Sequence, residues 1–343
     1  MIPDDLFDAL CCGAREAIKD AWDAAQGFSS KVNPDEVDHI YAMTRIGVAG
    51  LGAHWGPLLV SRGLSLRITG VFCHQTPKAS YTHPRGSKSP ELADLLIVHE
   101  HKAALSGGLI TTTRRAVLVQ AKMVDQGLPA AVDPYQEYLY EHWPVFSLKG
   151  RGPRGASSFL PGARDLKPNT GGSRYGLIER TAHGSPSSVT WPFCCGFPWT
   201  FVDPNDPIRT AGGEDAGAFI TNMLYSTIWP RGRVSTPPTY PLALVGSPNN
   251  HFDVTVEELL TLTAKKTLGF RRKSHVMGDR GEEVACWQIS AGPLASLPAT
   301  GRKFTVTGDA YDREPPPERI TEEDDGGMSV MLIETGGSAS GRD

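Results

Sequence analysis

Three side chains, Asp94, Gln120 and Lys122, stand where they could do chemistry together. Asp94 leads the apolar run Leu95-Leu96-Ile97-Val98, and Gln120-Ala121-Lys122 closes the run Ala116-Val117-Leu118-Val119. Both runs read as strands, and two adjacent strands would bring these polar ends together. Alternate residues of a strand share a face, so Gln120 and Lys122 point one way while Val119 and Ala121 enter the opposite layer. Hydrolysis of a phosphodiester needs a divalent cation to neutralise developing charge and to make water nucleophilic, and hard oxygen donors such as the Asp94 carboxylate suit magnesium. A lysine beside them would orient the water or stabilise the transition state.

A second pair of residues follows. Gln136-Glu137-Tyr138-Leu139-Tyr140 sets a glutamine and a tyrosine one helical turn apart, on one side of a helix. Taken singly, each of these residues has an ordinary structural reading: a strand cap for Asp94, a strand edge for Gln120 and Lys122, a solvent-facing amide for Gln136 and a core aromatic for Tyr140. Their order and spacing single them out.

In that order the chain resembles the PD-(D/E)XK nucleases, whose pattern is an aspartate, a variable gap, then an acidic residue or glutamine, any residue, and lysine. The glutamine form is similar to that of Mrr-type restriction nucleases, with one formal charge fewer in the metal shell. The Gln136 and Tyr140 pair resembles the Q-x-x-x-Y element of RecB-like and AddB-like nucleases. The resemblance spans roughly residues 30–146. It implies an α/β fold with a restriction-endonuclease-like mixed sheet flanked by helices, and Mg2+ or Mn2+ held by Asp94 and Gln120. Lys122 would position the water and stabilise pentavalent charge, and Gln136 and Tyr140 would support the bound strand. A third carboxylate is expected from Glu36, ahead of Glu16 and Glu91. The implied substrate is nucleic acid, DNA before RNA, in bacterial defence or repair. A chain that kept the fold and lost catalysis, serving as a binding scaffold, is the alternative within the same resemblance.

The elements that must position these residues are legible from periodicity. Residues 4–26 space Leu6, Leu10, Ala17, Ile18 and Trp22 as one face of a helix, and a second helix is expected after Asn33-Pro34, carrying Val37, Ile40, Tyr41 and Met43 inward. Strands are expected at 66–72, 93–98 and 115–121, then a helix from Pro134 that Pro144 stops. The first 146 residues therefore form the expected nuclease-like domain. Residues 147–214, rich in Gly, Pro, Ser and Arg, are expected to be linker and irregular structure. Further on, a helix at 254–268 and short strands at 284–289 and 304–306 make 147–312 an accessory α/β region that would recognise substrate or meet a protein partner. Residues 313–343 form an acidic, Gly-rich tail expected to be largely flexible, apart from a strand-like stretch at 329–333.

Composition narrows the classes further. The formal charge of -4 excludes a protein coated in positive charge, so nucleic-acid contact must use a local patch: Arg271, Arg272 and Lys273, or Lys149, Arg151, Arg154, Arg164 and Lys167. No C-x-x-C spacing occurs among the six cysteines, which are expected to be buried, reduced thiols. The longest apolar runs are too short to cross a membrane, and the acidic N-terminus differs from a signal peptide, so a cytoplasmic protein without a membrane partner is expected. A rival of another class is the Gly-rich segment Gly50 to Gly56, which has the spacing of a dinucleotide fingerprint but no acidic residue about twenty positions on. His99 and Glu100, at the end of the Asp94 strand, are left outside the catalytic set.

Overall fold

The computed structural model describes residues 2–28, 34–73, 77–86, 88–104, 110–124, 132–149, 159–168, 171–180, 198–205, 213–225, 231–238, 241–244, 246–273, 284–293, 304–306 and 328–338. Buried apolar runs form the strands β1 (Ser65–Cys73), β3 (Leu95–Ala104), β4 (Ile110–Val124), β6 (Ser173–Glu179) and β11 (Ser329–Ser338). With β7 (Trp199–Val202), β8 (Glu214–Asp215), β9 (Arg233–Ser235) and β10 (Val284–Ala291) they make one mixed sheet in the order β10-β1-β11-β3-β4-β6-β7-β8, with β9 paired to β4. A separate ribbon joins β2 (Lys78–Ser80) to β5 (Ser147–Lys149).

Helices cover both faces of the sheet. On one lie α1 (Phe7–Phe28), α2 (Glu36–Ala42), α3 (Val48–Val60) and α5 (Ala216–Leu224), sharing a core with Leu95, Ile97, Val117, Val119 and Ala121. On the other lie α4 (Pro134–His142) and α6 (Pro248–Lys273), packed with Leu96, Val98, Ala116 and Leu118. Burial on both faces explains why β3 and β4 read as continuous apolar runs rather than as alternation.

The helix expected after Asn33 has its cap one residue beyond Pro34. Asn33 lies outside the described residues. Asp35 accepts from the backbone N–H of Val37 at 3.1 Å and Asp38 at 3.3 Å, while Asp38 accepts from the Asp35 N–H, a reciprocal capping box. From Glu36 the chain stays helical to Val60, through a π turn at Met43–Gly47. The Gly50 to Gly56 segment therefore lies inside a helix and opens no phosphate-binding turn. Its glycines serve close packing: a Cβ on Gly50 would stand 2.8 Å from that of Ala17 in α1. On β1, Gly70 is needed for the same reason, since a Cβ there would fall 1.8 Å from the carbonyl oxygen of Thr44.

Three expectations are corrected. Residues 147–214 contain β6 and β7, and β6 pairs in parallel with β4 over Leu118–Val124. The strand signal of β6 is masked by Arg174 and Gly176, yet Tyr175, Leu177 and Ile178 are buried. Residues 304–306 form no strand; the Thr305 N–H donates instead to Thr267 Oγ1 on α6 at 3.0 Å. The tail's strand-like stretch is longer than expected and sits in mid-sheet as β11, antiparallel to β1 and parallel to β3. The boundaries drawn at 146 and 312 thus fall within one continuous sheet, while residues 313–327 lie outside the described residues. Among the described residues no helix is long and apolar enough to cross a membrane.

Candidate active site

β3 and β4 run antiparallel with Leu95 opposite Val119. One residue before Leu95 the ladder is finished by Asp94: its N–H donates to the Val119 carbonyl at 2.9 Å, and its Oδ2 accepts from the Ala121 N–H at 2.7 Å and from the Gln120 side-chain amide. A side chain here replaces the backbone acceptor the next strand residue would have supplied. Asp94 and Gln120 are therefore in direct contact, as their order in the sequence predicts.

Lys122 lies two residues further along the same face of β4. With Asp94, Gln120, Glu36 and Glu91 it lines a cleft of about 270 Å³, closed by Val37 and Ile40 from α2, Phe72 and Cys73 from β1, and Ser329 from β11. Among the described residues the Lys122 ammonium has no hydrogen-bond or ion-pair partner. Gln120 is 2% exposed and its Oε1 has no partner, so a buried acceptor is held ready at the cleft floor. Burial pushes the Asp94 carboxyl up to about 7; Lys122 pulls it down, and Glu91 pushes it further up.

Glu36, the first residue of α2, reaches over the end of β4, where its Oε1 accepts from the Met123 N–H at 3.3 Å. Glu91 is exposed at the rim, and its backbone bridges to Lys78 of the ribbon. Glu16 is elsewhere: on α1, 68% exposed, 3.5 Å from His54. Neither Gln136 nor Tyr140 lines the cleft. Both are buried on α4, and the Tyr140 hydroxyl donates to the Leu92 carbonyl at 2.9 Å while its ring stacks on Tyr175 at 5.2 Å. Tyr140 thus props the segment that delivers Asp94 without facing the cleft.

Ser329 and Cys73 were not legible as site residues. Their mutual bonds, Ser329 Oγ with the N–H and carbonyl of Cys73, both 3.1 Å, close the cleft wall across 256 positions of sequence. No local pattern encodes such a pairing. Cys11, Cys73 and Cys286 are buried free thiols as expected; Cys12 is free but exposed, and Cys194 and Cys195 lie outside the described residues. Among the expected basic residues, Arg164 is fully buried, paired with Glu258 at 2.5 Å, and so contributes nothing to a surface patch.

Apart from Lys122 and the Cys73 thiol, the cleft's polar side chains, Glu36, Glu91, Asp94, Gln120 and Ser329, offer oxygens. They fit a hard divalent cation by type, and the unpartnered Gln120 Oε1 is an acceptor that such an ion would satisfy. Among the described residues no three His, Cys, Asp or Glu side chains converge closely enough to hold a metal ion by themselves. The chain matches no family model, no curated protein and no solved structure. What stands without them is a mixed α/β protein whose sheet is flanked by helices, with a polar cleft at one end of its central hairpin.

Proposed function

We propose that the protein is a metal-dependent nuclease with a restriction-endonuclease-like core, hydrolysing phosphodiester bonds of DNA at the Asp94 cleft. The observation that carries this reading is the direct contact of Asp94 with Gln120 in a cleft that also holds an unpaired Lys122. Topology supports it: Asp94 immediately precedes one strand of an antiparallel pair, Gln120 and Lys122 lie on the other, and a helix, α4, lies in the chain between β4 and β6, the strand parallel to β4. β11, inserted between β1 and β3, is a departure from a simple meander.

Asp94 and Gln120 would hold magnesium or manganese, with Glu36 or Glu91 near enough to share its charge. The ion would supply Lewis acidity and a lowered water pKa. Lys122 would donate to the phosphoryl oxygens as negative charge develops, a contribution that grows where water is excluded. Glu36 fixes the end of β4 through Met123, and Tyr140 fixes Leu92, so the carboxylate and the lysine are presented from two anchored strand ends.

The test is cleavage of plasmid and single-stranded DNA in magnesium or manganese. Wild type should cut, and Asp94→Ala and Lys122→Ala should each lower the rate by about 10²-fold or more while remaining folded. Equal activity in all three proteins contradicts the assignment. One observation favours a second reading: the Gln120 amide and the Ala121 N–H already occupy Asp94 Oδ2 as a strand cap would. A binding scaffold that kept the fold would show no cleavage and no response to divalent ions.

A further inference from the structure

Beside the cleft, the ribbon of β2 and β5 carries an arrangement that internal stability does not account for. Lys78 lies directly opposite Lys149, and Ser80 opposite Ser147. Ala79 and Leu148 are buried in the core below, so alternation turns both lysines and both serines to the outer face. Both lysines are exposed, and like charges directly opposite on a ribbon repel. No ion-pair partner for either ammonium is present among the described residues. The carboxylate closest in the backbone pattern is Glu91, bridged to Lys78 from its other side and part of the cleft rim. Through Glu91 the ribbon borders the Asp94 cleft.

Aromatic rings stand next to it. Tyr81 follows β2 and stacks on Tyr138 of α4 at 5.9 Å and 13°; Tyr138 stacks in turn on His142 at 4.3 Å and 13°. The stack ends on His142, which is exposed. Paired lysines suit a phosphodiester backbone, and an open ring at the end of a stack suits an unpaired base, which a duplex keeps inside. Acidic Glu137 and Glu141 on the same helix oppose a purely electrostatic site and leave the lysine pair as the focus of positive charge.

We infer that the β2–β5 ribbon and the C-terminal end of α4 form a track for single-stranded nucleic acid, with phosphates on Lys78 and Lys149 and a base on His142. This rests on the nuclease reading for its direction, toward the Asp94 cleft, but not for its chemistry.

The experiment is fluorescence anisotropy of a labelled single-stranded 12-nucleotide DNA and its duplex in EDTA, across a salt series. Wild type should bind the single strand more tightly than the duplex. Lys78→Ala with Lys149→Ala should weaken single-strand binding about tenfold at low salt and reduce the slope against log salt by about 1.4, at about 0.7 for each phosphate no longer neutralised. His142→Ala should weaken it about fivefold or more at unchanged slope. Replacing both lysines by arginine should restore the affinity and the slope. Unchanged affinity and slope in the double variant, a preference for duplex, or no binding by folded wild type each overturn the track. Lysine-dependent binding without cleavage in magnesium sinks the nuclease reading alone; cleavage with lysine-independent binding sinks the track alone.

Discussion

The two ends of the β3–β4 hairpin carry similar numbers of charged and polar groups and treat them in opposite ways. At the far end, Glu100, Lys102, Arg114, Glu257, Glu334 and Arg67 form a buried chain of ion pairs. Arg67 grips Glu334 with two bonds at 2.5 and 2.7 Å, Lys102 reaches Glu334 at 3.2 Å, and Arg114 reaches Glu257 at 2.6 Å. Burial works to raise the Glu334 carboxyl, but Arg67 and then Lys102 outweigh it and hold it below the usual range. His99 is closed in the same way, bonded to the Met223 carbonyl at 3.0 Å and to Thr335 Oγ1 at 2.9 Å. At the cleft end the groups are left open: among the described residues Lys122 has no hydrogen-bond or ion-pair partner, Gln120 Oε1 is unsatisfied and the Asp94 carboxyl is pushed up to about 7. A closed network specifies how strands register; an open one is ready for something the chain does not supply.

The largest test of that contrast is to break the closed end. Arg114→Ala leaves Glu100 and Glu257 buried without their guanidinium, and should cost about 3–5 kcal/mol in urea unfolding. Lys122→Ala should cost no more than about 0.5 kcal/mol in the same measurement, as expected for a partly exposed side chain that makes no hydrogen bond or ion pair among the described residues. Similar losses at both ends would erase the distinction.

Next in size is the opposite pH dependence of the two ends in metal-free buffer. With its carboxyl raised, Asp94 holds its proton to higher pH in the folded than in the unfolded chain, so its contribution is complete below the ordinary carboxylate value of 3.8 and is lost as pH rises through about 7. Burial pushes His99 down to about 3, helped by His101, and His101 down to about 4, so their contribution is present above 6.5 and is lost as pH falls toward those values. Asp94→Asn should therefore melt higher than wild type at pH 8, with the gap closing toward pH 4. The Asp94→Asn protein should still lose stability on acidification below 6.5. A gap that stays constant with pH would mean that the carboxyl is not perturbed.

The smallest expected effect is that of Gln120→Met. Replacing a buried amide that has one unmade bond by an apolar side chain of similar shape should change stability by less than about 1 kcal/mol, measured by urea unfolding. A loss of several kcal/mol would show Gln120 to be a structural member of the strand end and would move the cleft toward the closed class.

These contrasts also mark what the sequence could tell. The hairpin strands and the Asp94, Gln120 and Lys122 cluster were legible because apolar runs with polar ends are local signals. The placement of α4 was equally legible, from Pro134 and its apolar spacing, yet its Gln136 and Tyr140 turned to the core: a helical turn aligns two residues without saying which layer they enter. β11 was readable only as a short strand in a tail, because its place between β1 and β3 depends on pairing with residues more than 200 positions away. β6 was hidden by composition, since Arg174 and Gly176 interrupt its apolar pattern. The same long-range dependence separates the closed network from the open cleft: Glu100 and Asp94 are both acidic residues at strand positions, and only Arg114, Lys102 and their neighbours in space decide that one is neutralised.

The most direct test of the cleft does not require the substrate. Manganese titrated into the protein at pH 8 and followed by calorimetry, with melting temperature as a second readout, should show one bound ion that raises the melting temperature. Asp94→Asn should bind it at least tenfold more weakly. Binding heat and thermal shift that are absent in folded wild type, or unchanged in Asp94→Asn, would contradict a metal-dependent site at Asp94.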